Sequence, residues 1–280
     1  MDTKPVVLIV AGAWHVPETY RKLTRALESA GFEVHTPLLP TMNGSRPPDG
    51  DMLSDAECVR ERAEKLADHG HKIIAVMHSY GGLPGTQGLH GLGVDARAAK
   101  GLRGGVCRLV YMAAHGLSEG LSIFDKISEF GEGAAYESAY DFTEDGICSC
   151  RDWKASLLTN SEGVMEQNSA TDEEVQDYMS TLVPCNSKAF WQPVTRCAWR
   201  DIPVTFIYTR KDIAPPFHFQ VSNVYFMRGA GYDVETYELN SGHLPHLTHT
   251  SQVVLIINNV ANQVASGIKN FGTEIKHVEV

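Results

Sequence analysis

The sequence contains no apolar run long enough to cross a bilayer. The first apolar run, Val6–Val10, is far shorter than the roughly 20 residues that a membrane-spanning helix needs. No N-terminal targeting segment is visible in residues 1–5, and residues 278–280 match no peroxisomal or endoplasmic-reticulum signal. We therefore expect a cytoplasmic protein that does not insert into membranes.

Positive charge is scarce, because 24 Lys and Arg residues oppose 34 Asp and Glu residues. The resulting net charge of -10 disfavours binding to phosphate backbones and to anionic lipid surfaces. We therefore expect a small-molecule substrate and neither nucleic acid nor a membrane as partner. Composition leaves the oligomeric state open, and a homodimer is one of the alternatives.

Cysteines are few, and none of the six has the paired spacing of a zinc site. Cys148 and Cys150 are separated by one residue, which is too tight for ordinary disulfide geometry. We expect reduced thiols, and a disulfide within residues 117–200 is the alternative. No cofactor motif is visible, so we expect the protein to work without a cofactor.

The most informative stretch is an apolar run at residues 73–77 that leads into Ser79 among small residues, with a possible helix from Leu83. A strand, a sharp turn carrying serine and a helix together form a nucleophile elbow. Such a turn predicts strained backbone at Ser79 and no space for a side chain at Gly81. Met77 replaces the first glycine of the G-x-S-x-G pattern, so we expect different strand–helix packing there.

Strand and helix patterns alternate on both sides of a central segment, which predicts a mostly parallel sheet with right-handed crossovers. Strands are expected at residues 6–10, 32–36, 73–77, 108–113, 203–209 and, as the last one, 233–239. Helices are expected at residues 17–30 and 55–67, after Ser79, and at 216–229 and 252–265, while residues 88–105 read as irregular.

The alternation stops in residues 117–200, where helical pieces occur without a clear strand. One of them spans residues 171–182, where Thr171 and Glu174 have the spacing of a capping box. Aromatic residues concentrate in this segment, and we expect most to pack and a few to line a pocket. The segment predicts a helical lid, with a first core part at residues 1–116 and a second at 201–280.

Three chemically useful side chains follow predicted strands: Ser79, Asp212 and His243. The carboxyl ends of parallel strands share one edge of the sheet, so the three side chains are expected to meet there. The order Ser, Asp, His differs from the orders in the two well-known serine protease folds. A serine that is activated by histidine and carboxylate is a nucleophile for acyl transfer.

Other residues compete for these roles. Asp201 and Asp233 precede their strands and therefore lie at the opposite edge, whereas Glu119 remains an alternative for the carboxylate. His246 and His249 have a spacing that imitates a metal site, but no carboxylate or cysteine pattern accompanies them. We expect no metal.

The sequence resembles the α/β-hydrolase superfamily, in particular its small-molecule esterase and hydroxynitrile-lyase-like branch. The resemblance rests on residues 11–14, on the elbow at residues 78–82, on Asp212 in residues 209–212 and on His243 in residues 241–245. It covers the core on both sides of the predicted lid. It implies the α/β-hydrolase fold, with helices flanking a central, mostly parallel sheet.

The resemblance also implies a role for each side chain. Ser79 is the expected nucleophile, His243 its base, and Asp212 the group that orients the imidazole. The backbone N–H groups of Tyr80 and Ala13 are the expected oxyanion hole. The superfamily usually has His-Gly where this chain has Ala-Gly at residues 11 and 12, so the loop that carries Ala13 must be braced differently.

Two further residues are expected at the rim of the site. Trp14 and His115 are candidates for substrate binding, and packing of their loops is the alternative interpretation. His78, by contrast, is expected to be a buried histidine with satisfied hydrogen bonds beneath the elbow.

The leading hypothesis is a serine hydrolase that cleaves a small apolar ester or lactone through an acyl-enzyme. A lyase or a C–C-bond-cleaving enzyme of the same fold would use the same triad and is the first alternative. A receptor-like binding protein is the second, because fold does not determine function.

Overall fold

The computed structural model describes residues 4–166, 168–268 and 271–278. Ten strands lie in these ranges: β1 (Val6–Val10), β2 (Val34–His35), β3 (Lys72–His78), β4 (Gly105–Met112), β5 (Tyr140–Phe142), β6 (Ile147–Cys150), β7 (Cys185–Asn186), β8 (Val204–Thr209), β9 (Val234–Leu239) and β10 (Ile275–His277). Seven strands form one sheet in the order β10-β9-β8-β4-β3-β1-β2, and all neighbouring pairs are parallel.

Ten α-helices lie in the same ranges: α1 (Arg21–Ser29), α2 (Met52–Asp68), α3 (Gly82–Gly88), α4 (Val94–Ala98), α5 (Ile123–Glu129), α6 (Gly133–Ala139), α7 (Asp172–Ser180), α8 (Phe217–Gly229), α9 (Pro245–Thr248) and α10 (Thr250–Ala265). Five short 3-10 turns and one π-helical turn accompany them: Pro17–Tyr20, Pro40–Met42, Ser79–Gly81, Ser187–Phe190, Ala198–Arg200 and, as the π turn, Lys154–Leu158. No helix in this part of the chain is long and apolar enough to span a bilayer.

The core lies around the central strands, which read as continuous apolar runs because both faces of a parallel sheet are covered. All five residues of β1 are buried, as are all but the first residue of β3. Val6 pairs with Ile73 and Val10 with Met77, so β1 and β3 end at the same edge. Ser79, the residue after β3, lies at this edge, beneath the loops above the sheet.

Capping residues mark the start of α2 and of α7. Asp51 caps α2 in a capping box with Ser54, and this cap starts the helix three residues before the predicted one. The predicted capping box of Thr171 and Glu174 at the start of α7 is confirmed.

Two predictions in the core were wrong. Residues 88–105 were expected to be irregular, but Val94–Ala98 forms α4. The strand at residues 233–239 was expected to be the last, but β10 pairs with β9 at the edge of the sheet. Strand β10 is only three residues long and none of them is buried, so it lacks the apolar pattern of a central strand.

The segment between β4 and β8 is not purely helical, and the expectation that it contains no strand was wrong. Strands β5, β6 and β7 form an antiparallel sheet of their own, beside α5, α6 and α7. Residues 143–146 connect β5 and β6, and Gly146, the last of them, has a φ of +90°. A short polar connection that ends in Asp-Gly is a hairpin signal that could have indicated this sheet. All six cysteines lie in the described residues and are unpaired.

Candidate active site

The turn after β3 carries the predicted nucleophile. Ser79 has a φ of +54°, so the strained backbone expected at this position is confirmed. A methyl group at Gly81 would overlap the carbonyl oxygen of Val10, and one at Gly82 would overlap that of His115. Glycine is therefore required at both positions for the elbow to pass between the ends of β1 and β4.

Met77 explains how the elbow forms without the first glycine of its pattern. Its side chain is fully buried and lies against α3 at Gly85, where a methyl group would overlap the sulfur atom. Close packing of strand and helix is thus achieved by a glycine on the helix. The expected difference in packing is confirmed.

The three predicted side chains form a series in which His243 lies within hydrogen-bond distance of both Ser79 and Asp212. Ser79 Oγ is 3.0 Å from Nε2 of His243, and Nδ1 of His243 is 3.0 Å and 3.1 Å from the two carboxylate oxygens of Asp212. All three residues are buried, with 6% of Ser79 and 2% of the other two exposed. This geometry can transfer a proton from the serine to the imidazole while the carboxylate orients the ring.

Asp212 is held by three donors besides His243. Thr209 Oγ1 donates to Oδ2 at 2.8 Å, Gln220 Nε2 donates to Oδ2 at 3.1 Å, and the N–H of Ala214 donates to Oδ1 at 2.8 Å. These donors compensate for the burial of the carboxylate and help to hold it against the imidazole.

Glu119, the alternative carboxylate, is placed elsewhere. It forms a bidentate ion pair with Arg200, at 2.6 Å and 2.8 Å, and this pairing lowers its pKa to about 2. The structure thus brings Asp212, and not Glu119, to His243.

The loop after β1 places Ala13 beside the elbow, with a brace supplied by His15. The N–H of His15 donates to the Gly12 carbonyl at 3.3 Å, and its ring Nδ1 donates to the Ala13 carbonyl at 2.5 Å. Trp14 has a φ of +67°, and its indole N–H donates to the carbonyl of Cys148 in β6. The sequence implied that the loop carrying Ala13 is braced differently from the superfamily pattern. The brace is His15, two residues after Ala13.

The N–H of Ala13 donates to no residue in the described ranges. Both Ala13 and Tyr80 line the cavity above Ser79. The Tyr80 side chain is anchored away from the reaction centre, where its hydroxyl donates to Asp55. The two predicted oxyanion donors therefore belong to fixed segments on the wall of one cavity.

Histidine is abundant around the site, and burial keeps four of these side chains neutral. Burial lowers the pKa of His15 and of His115 to about 3, and it lowers the pKa of His78 and of His246 well below its usual value. Nearness to His243 adds to each effect, because two positive charges would repel each other. None of these four side chains therefore competes for a proton near neutral pH.

A cavity of about 290 Å³ opens above Ser79, and its wall is mostly apolar. The lining residues are Ala13, Trp14, Ser79, Tyr80, His115, Ile123, Ile127, Glu132, Ala135, Tyr136, Ala139, Tyr140, Phe190, Ile213, Ala214, Pro215, Pro216 and Phe219. Among the described residues, no lysine or arginine lines the wall, and the one carboxylate there, Glu132, pairs with His218 at 3.0 Å.

The structure places both candidate substrate contacts, Trp14 and His115, on this wall. Three aromatic residues from the central segment, Tyr136, Tyr140 and Phe190, join them, and the other aromatic residues of that segment do not line the cavity. The expectation that a minority of these aromatics lines a pocket is confirmed.

His78 lies beneath the elbow with both ring nitrogens hydrogen-bonded, as expected. His246 is buried beside it, and neither of its ring nitrogens has a partner within the described ranges. His249 lies at the end of α9 and hydrogen-bonds Thr248 and Asn168. Among the residues that the structure describes, no group of His, Cys, Asp or Glu side chains could hold a metal ion.

Several residues near the site were not singled out from the sequence as functional. Tyr20 reads as part of the apolar stripe of the first helix, and Gln220 as an ordinary helical residue. Their hydrogen bonds join segments that are far apart in the chain, such as Tyr20 with His78. A single sequence offers no signal for such pairs.

The parallel sheet, with a serine at the elbow and histidine and aspartate at the same edge, defines an α/β-hydrolase fold. The model of the alpha/beta hydrolase family matches residues 6–255, and the chain belongs to this family. The predicted superfamily and fold class are thereby confirmed.

Two fungal relatives match nearly the whole chain. The alpha/beta hydrolase nvfD of Aspergillus novofumigatus is 27% identical over 273 residues, covering 93% of this chain and 98% of that protein. The probable hydrolase R7 of a Phoma species is 28% identical over 262 residues, covering 92% and 99%. The family and these names support an enzyme.

A similar solved structure is that of a pyrethroid hydrolase from Sphingobium faniae. Its TM-score is 0.66 at 17% identity, and the match covers 94% of this chain and 99% of that one. At this identity the likeness shows the fold alone.

Proposed function

We propose that the protein is a serine hydrolase that cleaves a small, uncharged, apolar ester or lactone. The observation that carries the proposal is the series Ser79–His243–Asp212, which meets at 3.0 Å contacts beneath an apolar cavity. A buried serine that faces a cavity and contacts an imidazole is suited to attack a carbonyl carbon.

The reaction proceeds in two halves. Ser79 Oγ attacks the ester carbonyl while His243 Nε2 takes the hydroxyl proton, and Asp212 stabilises the imidazolium that forms. His243 then protonates the leaving alcohol oxygen, and an acyl-enzyme remains on Ser79. A water molecule, deprotonated by His243, releases the acid and restores the serine.

The negative charge of each tetrahedral intermediate develops on the former carbonyl oxygen. The N–H groups of Ala13 and Tyr80 stabilise this oxygen, and their support from His15 and Asp55 keeps them in place before the charge forms. Preorganised donors of this kind contribute on the order of 3 kcal/mol each to lowering the barrier.

The cavity wall limits the class of substrate. An anionic substrate would leave water for a wall without lysine or arginine and with a carboxylate at Glu132. The cost of burying an unpaired charge disfavours carboxylates and phosphates. A volume near 290 Å³ suits a small apolar group, and residues 117–200 act as a lid that contributes part of the wall.

The proposal is tested with a fluorophosphonate probe and intact-mass analysis. In the wild type we expect one adduct, mapped to Ser79. In Ser79→Ala we expect no adduct and a kcat that is lower by several orders of magnitude. Ser118→Ala is the matched control, since Ser118 is also buried but lies outside the cavity. Turnover by protein that carries no adduct after probe treatment would contradict a serine nucleophile.

Substrate class and reaction type are tested on active protein. A neutral p-nitrophenyl ester should be cleaved much faster than the same ester with a terminal carboxylate. Hydrolysis in ¹⁸O-labelled water should place the label in the acid product. An aldehyde or ketone product without label would indicate the lyase alternative, and tight binding without turnover would indicate a binding protein.

A further inference from the structure

A chain of hydrogen bonds beneath Ser79 joins the two loops on which the proposed mechanism depends. The N–H of Gly12 lies 2.9 Å from the hydroxyl of Tyr20, which lies 2.8 Å from Nδ1 of His78. Nε2 of His78 in turn lies 3.0 Å from the backbone carbonyl oxygen of His243. We call the two side chains in the middle, Tyr20 and His78, the buried bridge.

The direction of each hydrogen bond in the buried bridge follows from its two ends. The Gly12 N–H can only donate, so the Tyr20 oxygen accepts from it and the Tyr20 proton is directed to Nδ1 of His78. The His243 carbonyl can only accept, so Nε2 of His78 carries the ring proton. All donors and acceptors are therefore used once, in a single arrangement.

Burial makes the buried bridge rigid. Tyr20 and His78 are both fully buried, and the ring of His78 packs against the rings of His243 and His246 at 4.9 Å and 4.7 Å. Tyr20 also packs against His246, at 4.7 Å. A satisfied polar network in such a setting holds one geometry, because breaking any link leaves a buried group unpaired.

The two ends of the chain are the segments whose spacing matters for the reaction. The Gly12 residue immediately precedes Ala13, whose N–H is an oxyanion donor in the proposed mechanism. The His243 backbone carries the imidazole that contacts Ser79 at 3.0 Å. His78 itself immediately precedes Ser79, so nucleophile, base and oxyanion loop are all attached to the buried bridge.

We propose that Tyr20 and His78 are positioning residues, which fix the oxyanion loop and the catalytic histidine at the separation that the transition state requires. The proposal rests on the function proposed above. Neither side chain lines the cavity, so neither contacts the substrate in this scheme. Errors of a few tenths of an ångström at this separation would weaken transition-state stabilisation and leave substrate binding unchanged.

The first test removes one hydroxyl. Tyr20→Phe keeps the ring and leaves Gly12 N–H and His78 Nδ1 without their partner, so we expect kcat to fall about 10-fold or more while KM changes less than about twofold. The rate of phosphonylation of Ser79 should fall with kcat, because that adduct is also tetrahedral. Tyr111→Phe is the matched control, because Tyr111 is fully buried and its hydroxyl bonds Thr86 outside the site.

The second test asks whether the two residues act as one unit. His78→Gln retains a donor toward the His243 carbonyl, so it should lose less kcat than His78→Leu. The double variant Tyr20→Phe/His78→Leu should be no slower than His78→Leu alone, because the bridge is already broken. If the fold-losses in kcat of the two single variants multiply in the double variant, the two residues do not act as one unit.

The outcomes separate this inference from the proposed function. If the wild type turns over and is labelled at Ser79 but Tyr20→Phe behaves like Tyr111→Phe in kcat, the positioning role is wrong and the hydrolase remains. A loss of melting temperature in Tyr20→Phe without any loss of kcat also rejects the role. If Ser79 of active wild-type protein is not labelled, the proposed function itself fails.

Discussion

The hydroxyl of Tyr80 donates a hydrogen bond to the carboxylate of Asp55, with 2.7 Å between the two oxygens. Asp55 also accepts from the N–H of Thr41 at 2.9 Å and from its hydroxyl at 2.6 Å. The carboxylate thereby ties the residue after Ser79 to α2 and to the turn at Pro40–Met42. Burial raises the pKa of Asp55 to about 6, more than its three hydrogen bonds lower it.

The raised pKa predicts a specific pH dependence of stability. Below about pH 3.8 Asp55 is protonated in both folded and unfolded states, and between pH 3.8 and about 6 only the folded protein keeps the proton. The contribution of Asp55 to the free energy of unfolding is therefore complete at low pH and is lost as the pH rises through about 6. The difference between the two pKa values corresponds to roughly 3 kcal/mol.

Asp55→Asn removes this titration. We expect the difference in unfolding free energy, wild type minus variant, to fall by roughly 2.5 kcal/mol between pH 4 and pH 7 in urea titrations. Glu119→Gln is a control of opposite sign at lower pH: the ion pair with Arg200 lowers the pKa of Glu119 to about 2, so its contribution to stability is lost as the pH falls from about 4.5 to about 2. Parallel stability curves for wild type and Asp55→Asn would show that Asp55 does not titrate in this range.

Much of the core was predictable because its strands are local, apolar and buried on both faces. The run at residues 73–77 and the glycines after Ser79 indicated the elbow, since only a sharp turn requires small residues there. Asp212 and His243 could be placed with it because each follows a strand, and parallel strands share their carboxyl edge. These inferences needed periodicity and chain order, which one sequence contains.

The supports of the site were not predictable in the same way. Tyr20 lies in a helical apolar stripe, and nothing local indicates that its hydroxyl bonds His78, which is 58 residues away. The brace from His15 to Ala13 depends on the left-handed backbone at Trp14, a conformation that is rare outside glycine. Long-range partners and unusual backbone angles are set by tertiary packing, and hydrophobic periodicity does not report either.

The contact between Met77 and Gly85 gives a second prediction. Gly85→Ala places a methyl group where the Met77 sulfur lies, and Met77 is fully buried, so we expect a loss of about 1–3 kcal/mol in unfolding free energy. In a Met77→Ala background the same change should cost less than about 0.5 kcal/mol, because the space is then available. Chemical denaturation of the four proteins of this cycle measures both values.

A control separates overlap from helix propensity. Gly229 is the last residue of α8, and a methyl group added there would contact no other atom. Gly229→Ala should therefore leave the free energy of unfolding unchanged or raise it by up to about 1 kcal/mol. An equal cost of Gly85→Ala with and without Met77 would mean that the sulfur is not what excludes the methyl group.

His115 gives the third prediction, which concerns selectivity. His115 lines the cavity, and its backbone N–H donates to the carbonyl oxygen of Ser79 at 3.2 Å, while ring Nδ1 has no partner in the described residues. Burial lowers the pKa of its imidazole to about 3, so the ring offers a neutral donor or acceptor near the proposed nucleophile. Such a group should favour substrates with a second oxygen near the scissile bond.

Matched substrates measure this effect. In His115→Phe, kcat/KM for an ester that carries a hydroxyl or keto oxygen beside the scissile carbonyl should fall about 10-fold or more. For the ester of the same size without that oxygen, kcat/KM should stay within about threefold, because the aromatic wall is preserved. Equal losses for both esters would assign His115 to packing of its loop, since a packing defect does not distinguish one oxygen atom on the substrate.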